Sequence, residues 1–235
     1  MNYWILVLGA SKGIGKAIAL HLARTYPEFR VLAVARNFNS EEFSAYPNIV
    51  TLTADLSSEN SLFHITSAIG EGRVKHIVYS ATALGPFIED SEAKDFSVLM
   101  TLNSKTPLFL CRDLAPKLDT DSKVLFLNSM QAYHYTLNSP FYSMSKAALV
   151  MTAKVLKKDL GLAVSTLIPG TVKTDMLGEV LERIPNWQVE ATKVLEPHQV
   201  AKFVAHLLSS QVSQEDFSQE EWSLLDPSTY EDIIS

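Results

Sequence analysis

Apolar runs of strand length alternate with stretches of helical spacing along almost the whole chain. Tyr3 to Leu8 is an apolar run that stops at Gly9, and Lys16 to Arg24 then spaces its apolar residues three and four apart. Arg30 to Ala35 reads as a second strand and Ile49 to Ala54 as a third. Ser58 to Ile69 reads as a helix, with Ser57 or Ser58 expected as its cap, and His76 to Ser80 as a fourth strand. Glu89 to Leu118 is mostly helical in pattern, and Pro107 predicts a break or kink near Asn103. Val124 to Leu127 is the fifth strand, Met130 to Asn138 a loop, and the helix opened by Pro140 runs to about Leu160. Leu162 to Ile168 is the sixth strand, halted at Pro169-Gly170, followed by a helix from Pro197 to Ser209 and a last strand from Trp222 to Leu225. Strands alternating with helices of this length imply right-handed crossovers. The expected fold is α/β, a doubly wound parallel sheet in three layers, α/β/α. With no repeat or linker, residues 1–235 read as a single domain, and the mixed segment at about 171–193, containing Pro185 and Trp187, as a flap.

Composition narrows this picture only slightly. The formal net charge of -6 argues against a nucleic-acid partner, since phosphate binding wants a basic surface. Cys111 is the single cysteine, so no disulfide framework or thiolate metal cluster is expected, and the histidines show no metal-ligand spacing. No stretch approaches the roughly 20 apolar residues of a membrane span. The apolar start is read as a buried strand and not as a secretion signal, and a cytoplasmic location is expected.

Two motifs carry chemistry. Gly9-Ala10-Ser11-Lys12-Gly13-Ile14-Gly15 lies between a strand and a helix, where glycines admit close backbone approach and the helix N-terminus attracts pyrophosphate. An NAD site usually places a carboxylate after the second strand to bind ribose hydroxyls. Arg30 to Ser40 contains none, whereas Arg36 and Lys12 are cations suited to a 2′-phosphate, so NADP(H) is the expected cofactor. In the helix begun by Pro140, Tyr142 and Lys146 are four residues apart and share a face. A phenol beside an ammonium is expected to have its pKa drawn down, fitting it to exchange a proton with a carbonyl or alcohol oxygen.

Taken together these residues resemble the short-chain dehydrogenase/reductase family, a Rossmann-type fold, over nearly the whole chain. Gly9 to Gly15 is similar to that family's cofactor turn, although Leu8 stands where threonine is usual, and Lys12 with Arg36 resembles its NADP(H)-preferring branch. The resemblance implies that Asp55-Leu56 and Ala81 border the cofactor and that Pro169, Gly170, Val172 and Thr174 lie against its nicotinamide. It further implies a catalytic set in which Ser129, 13 residues before Tyr142, holds the substrate oxygen and Tyr142 exchanges the proton. Lys146 would tune Tyr142 and bind ribose, and Asn103 would support a proton relay. Tyr79-Ser80-Ala81-Thr82 departs from the usual Asn-Asn-Ala-Gly, as does Asp226-Pro227-Ser228 from a usual glycine pair.

Loop and flap residues Met130, Tyr133, His134, Tyr135, Met176, Leu177 and Trp187 point to an apolar or aromatic substrate pocket; Met130, Tyr135 and Met176 are its leading candidates. The expected activity is hydride transfer between NADP(H) and a small carbonyl or alcohol compound, in the reductase direction, without metal, nucleic acid or membrane. An NAD(H)-dependent alcohol dehydrogenase and a non-catalytic cofactor-binding regulator are the competing readings. Family members usually pair through the two long helices, which implies a homodimer or homotetramer, with Val150, Met151, Val155 and Leu156 as an apolar face.

Overall fold

The computed structural model describes residues 3–135, 138–184, 193–219 and 221–234. Its centre is a parallel sheet of seven strands in the order β3-β2-β1-β4-β5-β6-β9. These are β1 (Tyr3–Leu8), β2 (Arg30–Ala35), β3 (Ile49–Thr53), β4 (Arg73–Tyr79), β5 (Leu118–Leu127), β6 (Val164–Ile168) and β9 (Glu221–Ser223). A second, two-stranded sheet pairs β7 (Thr171–Val172) with β8 (Val194–Leu195).

Successive side chains of a strand point to opposite faces, so each strand feeds two cores. Ile5, Val7, Val78, Leu125 and Leu167 pack under α1 (Gly13–Thr25) and α8 (Pro197–Leu208). Leu6, Leu8, Ile77, Tyr79 and Phe126 pack under α3 (Asn60–Ile69), α5 (Thr106–Leu114) and α6 (Pro140–Leu160). Because the chain leaves β1 towards β2 but places β4 on the other side, a crevice opens beyond the carboxyl ends of β1 and β4.

Two glycines bring that crevice into being. Gly9 has φ +87°, and a Cβ there would lie 2.5 Å from the Ala81 backbone; a Cβ on Gly15 would lie 2.1 Å from the Gly9 oxygen. The first turn of α1 therefore sits against the backbone ends of β1 and β4.

Some boundaries differ from expectation for definable reasons. The helix at Asn60 is preceded by Glu59 without a side-chain cap, because Ser57 turns back instead and donates through N and Oγ to Asp55 Oδ1 at 2.9 and 2.7 Å. The break expected near Asn103 is a widened π-turn, Thr101–Lys105, between α4 (Ala93–Met100) and α5, which absorbs the donor missing at Pro107 without ending the helix. Strand β5 begins earlier than Val124. Its polar start hides it from an apolar pattern, since Asp119 pairs with Arg73, and Asp121 with Lys75, across to β4. The segment expected as a flap holds β7 and α7 (Asp175–Arg183) and ends just before β8, while Pro185 and Trp187 lie outside the described residues. The short helices α2 (Ser40–Ser44), α9 (Gln214–Phe217) and α10 (Glu231–Ile234) have too few apolar positions to show a period.

Lys123 ties α8 to the sheet. Buried at 3% exposure, its ammonium donates to the Leu207, Ser209 and Val212 carbonyls at 3.0, 2.7 and 2.7 Å, closing the carboxyl end of α8. Lys123→Met fills the space but strands three carbonyls, so urea unfolding should show a loss of about 3 kcal/mol. An unchanged midpoint would mean that the ammonium is not needed to close the helix.

Candidate active site

Helix α1 meets the crevice with its amino end open. Lys12 at its cap is extended and makes no side-chain cap bond, and no acidic residue occupies the first turn. Unpaired N–H groups and the positive end of the helix dipole therefore face a cavity of about 230 Å³. The glycine turn (Gly9, Ser11, Lys12, Gly13, Ile14, Gly15) forms one wall, and Arg36, Asp55, Leu56 and Ala81 form the others. Asp55 is held below the usual carboxylate range, first by its hydrogen bonds from Ser57.

A second cavity of about 480 Å³ adjoins the first, with Ile14, Ser80, Thr82, Thr174 and Met176 on the walls of both. Ser129, Met130, Tyr142, Lys146, Pro169, Gly170 and Val172 line this second space. Ser129 ends the extended chain after β5, and its Oγ accepts the Gln131 N–H at 3.2 Å as a short 3-10 turn begins. Tyr142 and Lys146 come from the first two turns of α6, on the stripe continued by the core residues Leu149, Ala153 and Leu156.

Within this arrangement the Ser129 and Tyr142 side chains face the same cavity, and Ser129 draws the Tyr142 phenol's pKa downward. The Lys146 Nζ donates to the Leu127 carbonyl at 2.7 Å and stands 5.8 Å from the centre of the Tyr142 ring. Burial governs both groups. It raises the Tyr142 phenol, against a smaller downward effect of Ser129, and drives Lys146 down to about 7. The expectation that positive charge would dominate at Tyr142 is thus corrected. The lysine is itself desolvated, and an ammonium held near neutrality lends the phenol little.

Asn103 lines neither cavity but stands behind this set, fully buried in the π-turn. Its Nδ2 donates to Ser145 Oγ at 3.1 Å and to Thr82 Oγ1 at 3.4 Å, and Ser145 in turn donates to the Tyr142 carbonyl at 2.8 Å. Asn103 Oδ1 and both polar atoms of Asn128 are buried without a hydrogen-bond partner among the described residues. Buried polar atoms left open beside a cavity fit a site that a polar ligand or water completes. With the uncapped helix end, this is a constellation that suits a nicotinamide dinucleotide.

Tyr135, expected at the pocket, is 58% exposed and lines neither cavity. The 3-10 turn at Met130–Ala132 presents Gln131 and His134 to the pocket in its place. Asn128, Val180 and Leu225 also line the second cavity, and Ser80 and Thr82 line both; none of them was singled out as a pocket residue by sequence. The signal for Ser80 and Thr82 was their place in the departing motif. For Leu225 there was none, since it arrives through the β6–β9 pairing.

Comparison with known proteins agrees with this geometry. The family model for short chain dehydrogenases matches residues 3–185. Among curated relatives, an NADPH-dependent aldehyde reductase 2 of Arabidopsis thaliana chloroplasts is 27% identical, the alignment covering 87% of this chain and 86% of that protein. A sepiapterin reductase of Chlorobaculum tepidum is 30% identical over 77% of this chain and 82% of its own. Among solved structures, a short-chain dehydrogenase/reductase of Saccharomyces cerevisiae superposes with a TM-score of 0.84 at 22% identity, covering 100% of both chains. The matched span takes in both the glycine turn under α1 and the helix that carries Tyr142 and Lys146, and this chain belongs to the short-chain dehydrogenase/reductase family of oxidoreductases.

Proposed function

We propose that the protein is an NADPH-dependent reductase that converts a neutral, largely apolar aldehyde or ketone to its alcohol. The observation that carries this reading is the gathering of Ser129, Tyr142 and Lys146 on the wall of one cavity that adjoins the glycine-turn cavity. Lys12 and Arg36 support NADP(H): both line the first cavity, and the one carboxylate on the β-strand side of that wall, Asp55, is taken up by Ser57. The relative from Arabidopsis is named as NADPH-dependent, which points the same way.

When bound, the nicotinamide cofactor supplies the hydride, and the chain's own groups manage the oxygen. Ser129 holds the substrate oxygen through its hydroxyl, and Tyr142 gives that oxygen its phenolic proton as negative charge develops. A phenol raised by burial keeps its proton at neutral pH, so Tyr142 holds a proton it can give. Lys146 and Asn103 stand behind Tyr142, the first near its own neutralisation point and so fit to pass a proton on. Among the described residues, Lys146 is the only lysine, arginine, aspartate or glutamate lining the second cavity, which favours an uncharged substrate. Met176, Leu177 and Val180 of α7 line it too, so α7 acts as a substrate flap of a single catalytic domain. Met144, Met151 and Val155 are exposed on the outer side of α6, where a second copy would cover them, whereas Leu156 faces the core.

Oxidation of NADPH, followed optically with a panel of aldehydes and ketones, tests the activity. Tyr142→Phe should lower turnover by roughly 10²- to 10⁴-fold while NADPH binding survives; turnover comparable to the parent would sink the mechanism. Titration with both cofactors should show NADPH preferred over NADH, and Arg36→Asp should weaken NADPH by roughly tenfold or more. Equal binding of both cofactors by the parent protein would favour the NAD(H) reading. Lys146 adds a pH signature. Its pKa is about 7 folded against 10.5 as the ordinary value, so the unfolded chain binds the extra proton between these limits and stability rises with pH across them. Lys146→Met should therefore be inactive yet melt a few degrees higher at pH 7 and below, with the gain fading towards pH 10.5. A gain independent of pH would show that the ammonium is not the source of the strain.

A further inference from the structure

We infer that Asp175 sets the strength of cofactor discrimination by competing with the 2′-phosphate for Lys12. The inference rests on the NADPH reading above and concerns a residue that lies outside the expected binding set. Lys12 Nζ and Asp175 Oδ2 are 2.8 Å apart, joining the glycine turn to the first residue of α7, 163 positions further along the chain. Both residues line the first cavity, beside the glycines and in company with Arg36. The two cations on that wall are therefore not equivalent. Arg36 is exposed and has no ion pair among the described residues, whereas Lys12 already holds a carboxylate.

The exchange is easy in this setting. The Lys12 and Asp175 side chains are 67% and 71% exposed, so neither is locked by burial, and such a pair is worth little in water. Asp175 nonetheless feels it, its carboxyl being held below the usual range first by the hydrogen bond from Lys12. A 2′-phosphate carries about -1.5 to -2 charges at neutral pH against one on the carboxylate, and three acceptor oxygens against two. It takes Lys12 from Asp175, but the free energy of the broken pair is subtracted from its binding. A cofactor without that phosphate leaves the pair closed and loses nothing. The sign follows: Asp175 opposes NADPH and is indifferent to NADH.

Calorimetric titration of NADPH and NADH at low ionic strength tests this in the parent protein, Asp175→Asn, Asp175→Glu, Lys12→Met and the Lys12→Met/Asp175→Asn double variant. Asp175→Asn should tighten NADPH by about two- to fivefold and leave NADH unchanged. Asp175→Glu should restore the parent ratio. Lys12→Met should weaken NADPH, and adding Asp175→Asn to it should bring no further change. Several results would overturn the inference: equal tightening of both cofactors by Asp175→Asn, the same gain with Lys12 absent (a general field effect of the carboxylate), or no gain at all. Melting without cofactor, expected to be the same for parent and Asp175→Asn, separates these outcomes from a folding defect. If the parent binds NADH as tightly as NADPH, the NADPH reading fails and this inference with it. If the parent discriminates and Asp175→Asn leaves the ratio alone, only the competition fails.

Discussion

The approach of three backbone segments to contact distance is what the rest of the molecule is arranged around. Gly15 lies against the Gly9 oxygen and Gly9 against the Ala81 backbone, with no room for a Cβ at either glycine. This contact holds the first turn of α1 at the place where strand order reverses, so an uncapped helix end and a crevice coincide. On the β4 side the contact falls on the backbone that joins Ser80 to Ala81. Thr82, which replaces the usual glycine, is not idle: its hydroxyl accepts from Asn103, so the departure is built into the polar chain that runs through Ser145 to the Tyr142 carbonyl.

Two buried lysines show how differently the fold treats the same charge. Lys123 meets three carbonyls at the end of α8, and desolvation still draws its pKa below the ordinary lysine value. Lys146 meets one, the Leu127 carbonyl, and is brought down to about 7. An ammonium so poorly answered opposes folding, and a strongly lowered lysine beside a tyrosine on a cavity wall is the pattern of a functional-site candidate. The same economy appears in Asn103 Oδ1 and Asn128, which are buried and open at the same end of the sheet.

Much of this was legible in the sequence because it is local. The strand, glycine turn and helix at Tyr3 to Thr25 are contiguous, and Pro140 marks the start of the helix that puts Tyr142 and Lys146 on one face. Arg36 could be read from its place after β2 alone. What was not legible depends on contacts between distant residues. The direction of the Tyr142 shift needs the extent of burial, which no spacing reveals. The early start of β5 needs Arg73 and Lys75 across the sheet, and the pairing of Lys12 with Asp175 needs α7 folded back over the glycine turn.

That last contact gives α7 a double position. Within its first turns, Asp175 faces the cofactor cavity, Met176 lines both cavities, and Leu177 and Val180 face the second. An element that borders both spaces is placed to couple them, were a change in the hold on its first residue to shift the side chains one turn on. Such coupling needs a tie weak enough to exchange, and an exposed pair satisfies that where a buried one would not. On the NADPH reading, the ammonium proposed to meet the 2′-phosphate is therefore the same one that pairs with the first residue of α7.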